Sequence, residues 1–399
     1  MNTILTGGSV VLPDRVTKAH VAIHGRHIAS VDDGWASGVR GDVQIIDIAG
    51  GYVLPGFIDV HVHGIEGHDT LDGGDVIAAI AAKLPRYGVT AFCPTTVACA
   101  PESLRDVLAQ VARARQGVAP RSARVLPAHL ESNFINPAFK GAQPLACLRS
   151  PEAAVAGGRT SAFAAQDILG AIAAARAEVG IITLAPELPH GLDLVRALAT
   201  AGHRVSLGHS GADFETAMAA FDAGARHATH LFNRMTPITH RAPGLAGAVL
   251  ARDDVTAELI CDGYHVHPAM MRVAIAAKGA QRIMAITDGT AGSGLTVGMT
   301  GRLGGQPIHV GEHAATLADG TLAGSTLTMD RAFRFLVSQC GRSLPEAATM
   351  CATTPARALA LEDRGVIAAG AVADLGILDR DLRVVTTIVD GEIVYDGRQ

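Results

Sequence analysis

Residues 57–64 read FIDVHVHG, a short apolar run that ends in two histidines and a glycine. Seven runs of the same kind follow it: VTAFCPTT (89–96), ARVLPAHLE (123–131), IITLAPE (181–187), RVSLGHS (204–210), HATHLFN (227–233), TAELICDG (256–263) and RIMAITDG (282–289). They are continuous rather than alternating, as strands buried on both faces are. Between them lie Ala/Leu/Arg-rich stretches with helical periodicity, such as 101–115 and 161–178, and Pro101 stands where a helix N-terminus tolerates proline. Eight strand-then-helix units predict an α/β fold, a closed parallel (β/α)₈ TIM barrel.

The flanks have a different texture. Short strand-like pieces fill residues 1–50, at 3–5, 9–12, 20–24, 27–31 and 43–48, and more fill 366–396, where Asp390–Gly391 offers a hairpin turn. Both chain ends are therefore expected in one small β-sandwich, residues 1–51 with 355–399, beside a barrel of 52–354. Residues 296–323, rich in glycine and polar turns, predict a β-hairpin excursion before a last helix at about 325–341.

Composition sets outer limits. A chain of 399 residues, 48% hydrophobic and 18% charged, has ample material for a core and is not a disordered sequence. The formal charge of −5 comes from signs spread along the chain, so nucleic acid has no basic surface to meet. A phosphorylated small molecule is not excluded, since one arginine in a cleft holds a phosphate. The start, MNTILTGGSVVLPD, lacks the marks of a secretory leader, and no run of about 18 apolar residues predicts a membrane span. The six cysteines form no CxxC pair, which fits reduced thiols in a cytoplasmic protein.

Chemistry gathers at the strand ends. His61 and His63 end the first run, Glu131 the third, His209 the fifth and Asp288 the eighth, and His230 lies in the sixth. In a parallel barrel these ends converge on one mouth. Alternation along a strand puts His61 and His63 on one face, so two imidazoles can reach one ion. Each residue alone has an ordinary explanation: a structural HxH, a hydrogen-bonded loop residue, a turn aspartate before glycine. Together they would crowd ionisable groups around one mouth, which is costly unless something pairs them, as a divalent cation does. Imidazole and carboxylate suit Zn²⁺ or Fe²⁺.

PGFIDVHVHG at 55–64 resembles the first-strand signature of the amidohydrolase superfamily. The fourth run ends in Pro186–Glu187 without the lysine many relatives carry there. HLE (129–131), APE (185–187), GHS (208–210), THLFN (229–233), APG (242–244), DGYHVHP (262–268), TDG (287–289) and LAGSTLTMD (322–330) resemble the N-acetylglucosamine-6-phosphate deacetylase family, in order, from about residue 3 to 396. The resemblance implies that Glu131, His209 and His230 bind the main metal. It also implies that His61 and His63, with Glu131 and Asp288, hold a second, and that Asp288 is general base and then acid. It gives Asn233, Arg241 and His265 as sugar-phosphate contacts, with part of the phosphate grip crossing to the other subunit of a homodimer. Its implied reaction is hydrolysis of N-acetylglucosamine 6-phosphate to glucosamine 6-phosphate and acetate.

Three departures from that pattern stand out. Ser132–Asn133–Phe134 replaces the family's Gly-Pro-Phe. Gln143 stands in KGAQ where the family has histidine, so a neutral amide takes over polarisation of the acetyl carbonyl. Arg234 adds a charge beside Asn233. Competing readings are deacetylation of another amino-sugar phosphate such as N-acetylgalactosamine 6-phosphate, of an N-acyl amino acid, or a non-catalytic sugar-phosphate binder. The last would be favoured by loss of Asp288 or of a metal histidine, and none is lost.

Overall fold

The computed structural model describes residues 2–33, 43–152 and 162–398; residue 161, first of the helical stretch expected at 161–178, lies outside them. Among the described residues, eight parallel strands build the barrel: Phe57–Val62, Val89–Thr96, Ala128–Glu131, Val179–Leu184, Arg204–Leu207, His227–Ala228, Thr256–Ile260 and Ile283–Ile286. A helix follows each in turn: Val76–Lys83, Pro101–Ala114, Ala165–Ala174, Gly191–Thr200, Phe214–Asp222, Gly244–Ala251, Pro268–Lys278 and Met329–Ser338. In Pro101–Ala114 the buried Leu104, Val107, Leu108 and Val111 fall at the spacing of one helical face, and Pro101 occupies the first turn. That face is what presses the helix onto the sheet.

The last strand meets the first through a parallel bridge between Val62 and Gly289. The Asp288 amide donates to the His61 carbonyl at 3.0 Å, and the His63 amide to that of Gly289 at 2.8 Å. Asp59, fully buried, fastens the seam: its carboxylate accepts from the Thr287 hydroxyl at 2.6 Å and the His61 amide at 3.2 Å. Burial pushes the Asp59 carboxyl up to about 7 against the lowering effect of the Thr287 bond. Phe57 and Phe333 pack across the same seam with centroids 5.3 Å apart and ring planes tilted by 31°. Full burial of a phenylalanine side chain stabilises by roughly 1.5–3 kcal/mol, and both rings are buried here.

The chain ends form the β-sandwich. One sheet orders His27–Asp32, His20–His24, Asn2–Thr6 and Val43–Asp47. The other orders Glu392–Asp396, Val384–Val389, Leu375–Leu378, Tyr52–Pro55, Ser9–Val11 and Val16–Lys18. Leu5, Val10, Ile23, Ile28, Val53, Leu375, Ile377 and Ile388 fill the space between them. Asp390 and Gly391 both have positive φ, 51° and 78°, as a two-residue hairpin turn requires. The passage into the barrel runs through Tyr52–Pro55, which pairs with Leu375–Leu378 in the sandwich. The passage back runs through helix Thr354–Ala358, whose Ala356 belongs to the barrel core.

The excursion at 296–323 has three strands where a hairpin was expected: Thr300–Leu303, Gln306–Val310 and Ala315–Thr316. Its Leu303, Ile308 and Ala315 pack with Val97 and Ala142, and Gln306 Nε2 donates to the Ala142 carbonyl at 2.9 Å. Through Leu303 and Leu322 it reaches one side of the barrel mouth. No helix among the described residues is long and apolar enough to cross a membrane.

Candidate active site

Glu131 ends its strand with its carboxylate at the centre of the mouth. Its Oε1 lies 2.9 Å from His209 Nε2 and 2.9 Å from His230 Nε2. Its Oε2 lies 3.4 Å from His63 Nε2 and is in contact with Gln143 Nε2. On the other side, Asp288 Oδ1 sits 3.2 Å from His63 Nε2 and 3.4 Å from His61 Nε2. The donor atoms of Glu131, His209 and His230 form one compact group, those of His61, His63 and Asp288 another, and Glu131 stands between.

The backbone pays attention to this mouth as well. His209, His230 and Asp288 all adopt positive φ, 47°, 32° and 50°. Such left-handed conformations are strained for side-chain-bearing residues and here turn each side chain inward at a strand end. The loop after His209 is held by Glu187, which accepts from the Ser210 hydroxyl at 2.7 Å and Asn136 Nδ2 at 2.9 Å. Glu187 thus gives the APE motif a structural part.

The donor set fits a divalent cation. His209 Nδ1 faces the Phe139 carbonyl at 2.8 Å, and a carbonyl only accepts, so Nδ1 carries the proton. In the neutral ring Nε2 is then a lone pair facing the Glu131 oxygen at 2.9 Å and His230 Nε2 at 3.0 Å. Acceptors face acceptors, and a positive charge belongs between them. Edges of this length approach the ~3.3 Å of a tetrahedron with bonds of ~2.0 Å.

The electrostatics agree. Burial alone would raise the Glu131 carboxyl, but when the facing imidazoles carry protons in a cation's place, the charge of His209 and hydrogen bonds from His209, His230 and His63 hold it well below the usual range. Asp288 is likewise held down against burial by His61 and His63. Burial works against a charged His63, yet its bonds to Asp288 and Glu131 push it up to about 10; His230 rises to about 9, chiefly against burial and through Glu131. Protons are drawn to the place where a cation would sit.

The cavity above this cluster is lined by His63, Glu131, Gln143, His209, His230, Asn233, Arg234, His265 and Asp288, with Leu303, Leu322 and Gly324 from the covering side. His61 is wholly buried beneath it. Gln143 Oε1 accepts from the Ala98 amide at 2.7 Å, which fixes the amide orientation and turns Nε2 toward Glu131. His265 Nδ1 is braced by Asp262 at 2.6 Å, and this contact raises its pKa although burial opposes it. Among the described residues no acid pairs with the Arg234 guanidinium. Arg241, expected at the phosphate, is exposed and does not line the cavity. The Ser132–Asn133 departure serves packing: Ser132 Oγ donates to the Thr183 carbonyl at 2.6 Å, and Asn133 Nδ2 to those of Cys99 and Cys147 at 2.8 and 2.7 Å.

Sequence reasoning missed the polar floor under the site. Glu258 and His129, both fully buried, contact His61 from below. A glutamate inside the apolar run TAELICDG was the available signal.

Comparison with known proteins decides the family. The model of the amidohydrolase family matches residues 52–394. N-acetylglucosamine-6-phosphate deacetylase of Lysinibacillus sphaericus is 37% identical over 354 residues, 88% of this chain and 87% of that protein. The chain belongs to the N-acetylglucosamine-6-phosphate deacetylase family of amidohydrolases. Within that family, N-acetylgalactosamine-6-phosphate deacetylase of Escherichia coli O157:H7 is 35% identical, covering 86% of this chain and 87% of that one. A mutant Mycobacterium smegmatis N-acetyl-D-glucosamine-6-phosphate deacetylase, solved in complex with N-acetyl-D-glucosamine-6-phosphate, superposes with a TM-score of 0.87 at 32% identity. It covers 98% of this amidohydrolase and 99% of its own chain.

Proposed function

We propose that this amidohydrolase removes the acetyl group from N-acetylglucosamine 6-phosphate, giving glucosamine 6-phosphate and acetate. The observation that carries the reading is a carboxylate, Glu131, set between two clusters of metal-type donors under a cavity lined by Arg234, His265 and Asn233. Glu131, His209 and His230 would hold the main cation, Zn²⁺ or Fe²⁺; His61, His63 and Asp288 would hold a second with Glu131. Such a cation, when bound, supplies a water that ionises near neutral pH and an electrophile for the carbonyl.

The chain's own groups do the rest. Gln143 has one Nε2–H engaged with Glu131 and the second free for the acetyl oxygen, where it stabilises developing negative charge. Asp288 accepts the proton of the attacking water at Oδ1. Water oxygen bonds to the acetyl carbon, the C–N bond breaks, and Asp288 returns the proton to the leaving nitrogen. Arg234 and His265 supply cationic contacts for the phosphate, and Asn233 orients the sugar. Arg241, exposed outside this subunit's cavity, would reach the phosphate of a neighbouring subunit in the homodimer that the family resemblance implies. The barrel, entered after the sandwich strand Tyr52–Pro55 and left through helix Thr354–Ala358, carries the chemistry, and the sandwich of the two chain ends braces it. A cytoplasmic setting suits the reduced cysteines and phosphorylated substrate.

The Escherichia coli relative keeps the galactosamine epimer as a second reading. The discriminating experiment is kcat/KM of the metal-loaded protein on N-acetylglucosamine 6-phosphate, N-acetylgalactosamine 6-phosphate, both unphosphorylated sugars and an N-acetyl amino acid. The glucosamine phosphate should lead. A lead for the galactosamine phosphate would reassign the epimer, and a lead for the amino acid would end the sugar-phosphate reading.

A further inference from the structure

Beneath His61 lies a carboxylate that the proposed reaction does not use. Glu258 sits in the middle of the seventh barrel strand, wholly buried, with its side chain inside the barrel. An isolated buried carboxylate costs several kcal/mol of desolvation unless partners compensate it. Its partners are specific. Oε2 is 2.9 Å from His61 Nδ1 and 3.3 Å from the backbone N–H of His230. Oε1 has no hydrogen bond and lies 3.6 Å from His129 Nδ1.

His129 is committed elsewhere. Its Nδ1 is 3.0 Å from the Val60 carbonyl, which can only accept, and its Nε2 is 2.8 Å from the Thr183 hydroxyl. The side chain that answers Glu258 is therefore His61. A carboxylate accepting from Nδ1–H leaves His61 Nε2 as a lone pair. That lone pair points at His63 Nε2, 3.2 Å away, and at Asp288 Oδ1, 3.4 Å away. The same Glu258 oxygen also fixes the amide of His230, a residue of the other donor cluster.

We propose that Glu258 is a positioning residue: it locks His61 in the Nδ1–H tautomer so that Nε2 serves the second cation seat, and through the His230 amide it keeps that seat in register with the first. The proposal rests on the two-seat reading given above. Carboxylates that hold a ligand histidine this way typically contribute 10–100-fold to metal affinity.

The test uses the full-length, metal-stripped protein and Zn²⁺ alone, titrated against a competing chelator to resolve two dissociation constants. Glu258→Met keeps the volume and removes the acceptor. The weaker Zn²⁺ step should loosen about 10–100-fold while the tighter step moves only a few-fold. Glu258→Gln keeps an acceptor oxygen and should recover part of the loss. In a His61→Asn background, Glu258→Met should move the remaining step by no more than the few-fold it moves the tighter step alone, since the ring it positions is gone. An unchanged weaker step in Glu258→Met overturns the proposal. So does an equal loss of both steps, or a Glu258→Gln protein with wild-type affinities beside a Glu258→Met protein that does not fold, because the glutamate is then a packing element. A wild-type protein that binds one Zn²⁺, with His61→Asn no different, overturns the two-seat reading itself and the proposal with it.

Discussion

Replacing Asp288 by asparagine isolates the proton shuttle. Asp288 has φ 50°, in the left-handed region that asparagine tolerates as well as aspartate, so the substitution adds no backbone strain. Its main-chain bonds, donation to His61 O at 3.0 Å and acceptance from Ser325 N at 2.7 Å, are kept. Glu131, His209 and His230 make their mutual contacts of 2.9–3.0 Å without it, so the main cation seat stays. What disappears is the basic oxygen that lies 3.2 Å from His63 and 3.4 Å from His61. General acid–base help is typically worth 10²–10⁴-fold, about 2.7–5.4 kcal/mol of barrier. Asp288→Asn should fold, retain main-seat metal by elemental analysis and lose at least about a hundredfold in kcat on N-acetylglucosamine 6-phosphate, with KM within a few-fold. A kcat within a few-fold of wild type, metal retained, would make Asp288 a turn residue before Gly289 and refute the mechanism.

Metal content of the His61→Asn/His63→Asn double variant should fall by the second cation alone; unchanged stoichiometry removes the second seat. Arg241→Ala should raise KM for the 6-phosphorylated sugar sharply and leave weak activity on the unphosphorylated sugar nearly untouched, whereas equal losses on both would assign Arg241 a structural part. Acid stability offers an independent check through His227, which is 4% exposed and bonded to the Thr256 hydroxyl at 2.6 Å, and whose pKa burial lowers to about 3. An unfolded histidine takes up a proton near ~6.5, so this contribution is whole above that pH and is lost as pH falls toward 3; at pH 5 the loss is ~2 kcal/mol. Urea unfolding at pH 7 and pH 5 should show His227→Asn losing less stability on acidification than wild type, and equal losses would contradict the buried, neutral ring.

The barrel was legible because each strand is a continuous apolar run closed by a polar residue, and each intervening stretch has a helical face. His61, His63, Glu131, His209, His230 and Asp288 stood out as a group: each alone has an ordinary use, but together at the ends of apolar strands they crowd charge into one mouth. What composition and spacing do not encode is orientation. The positive φ of His209, His230 and Asp288 depends on how each strand leaves the barrel. The group that pins the Gln143 oxygen, the Ala98 amide, lies 45 residues away in the chain, and spacing does not reveal it. Arg234 and Arg241 are equally cationic, and only the path of the loop lines the cavity with the first and exposes the second. Glu258 was hidden because a charged residue in a strand gives no sign of which neighbours it will meet. The third strand of the 296–323 excursion pairs with Gln306–Val310 through His309–Thr316 and Val310–Ala315, too short a match for alternation to reveal.

The central claim is metal-dependent deacetylation of an amino-sugar phosphate, and the most direct measurement is product formation from N-acetylglucosamine 6-phosphate by the wild-type protein before and after metal removal. Acetate and glucosamine 6-phosphate should appear in equal amounts with Zn²⁺- or Fe²⁺-loaded protein, stop when a chelator strips the cation, and return when it is restored. Folded, metal-loaded protein that releases no acetate above background, or that releases it equally after stripping, would contradict the account.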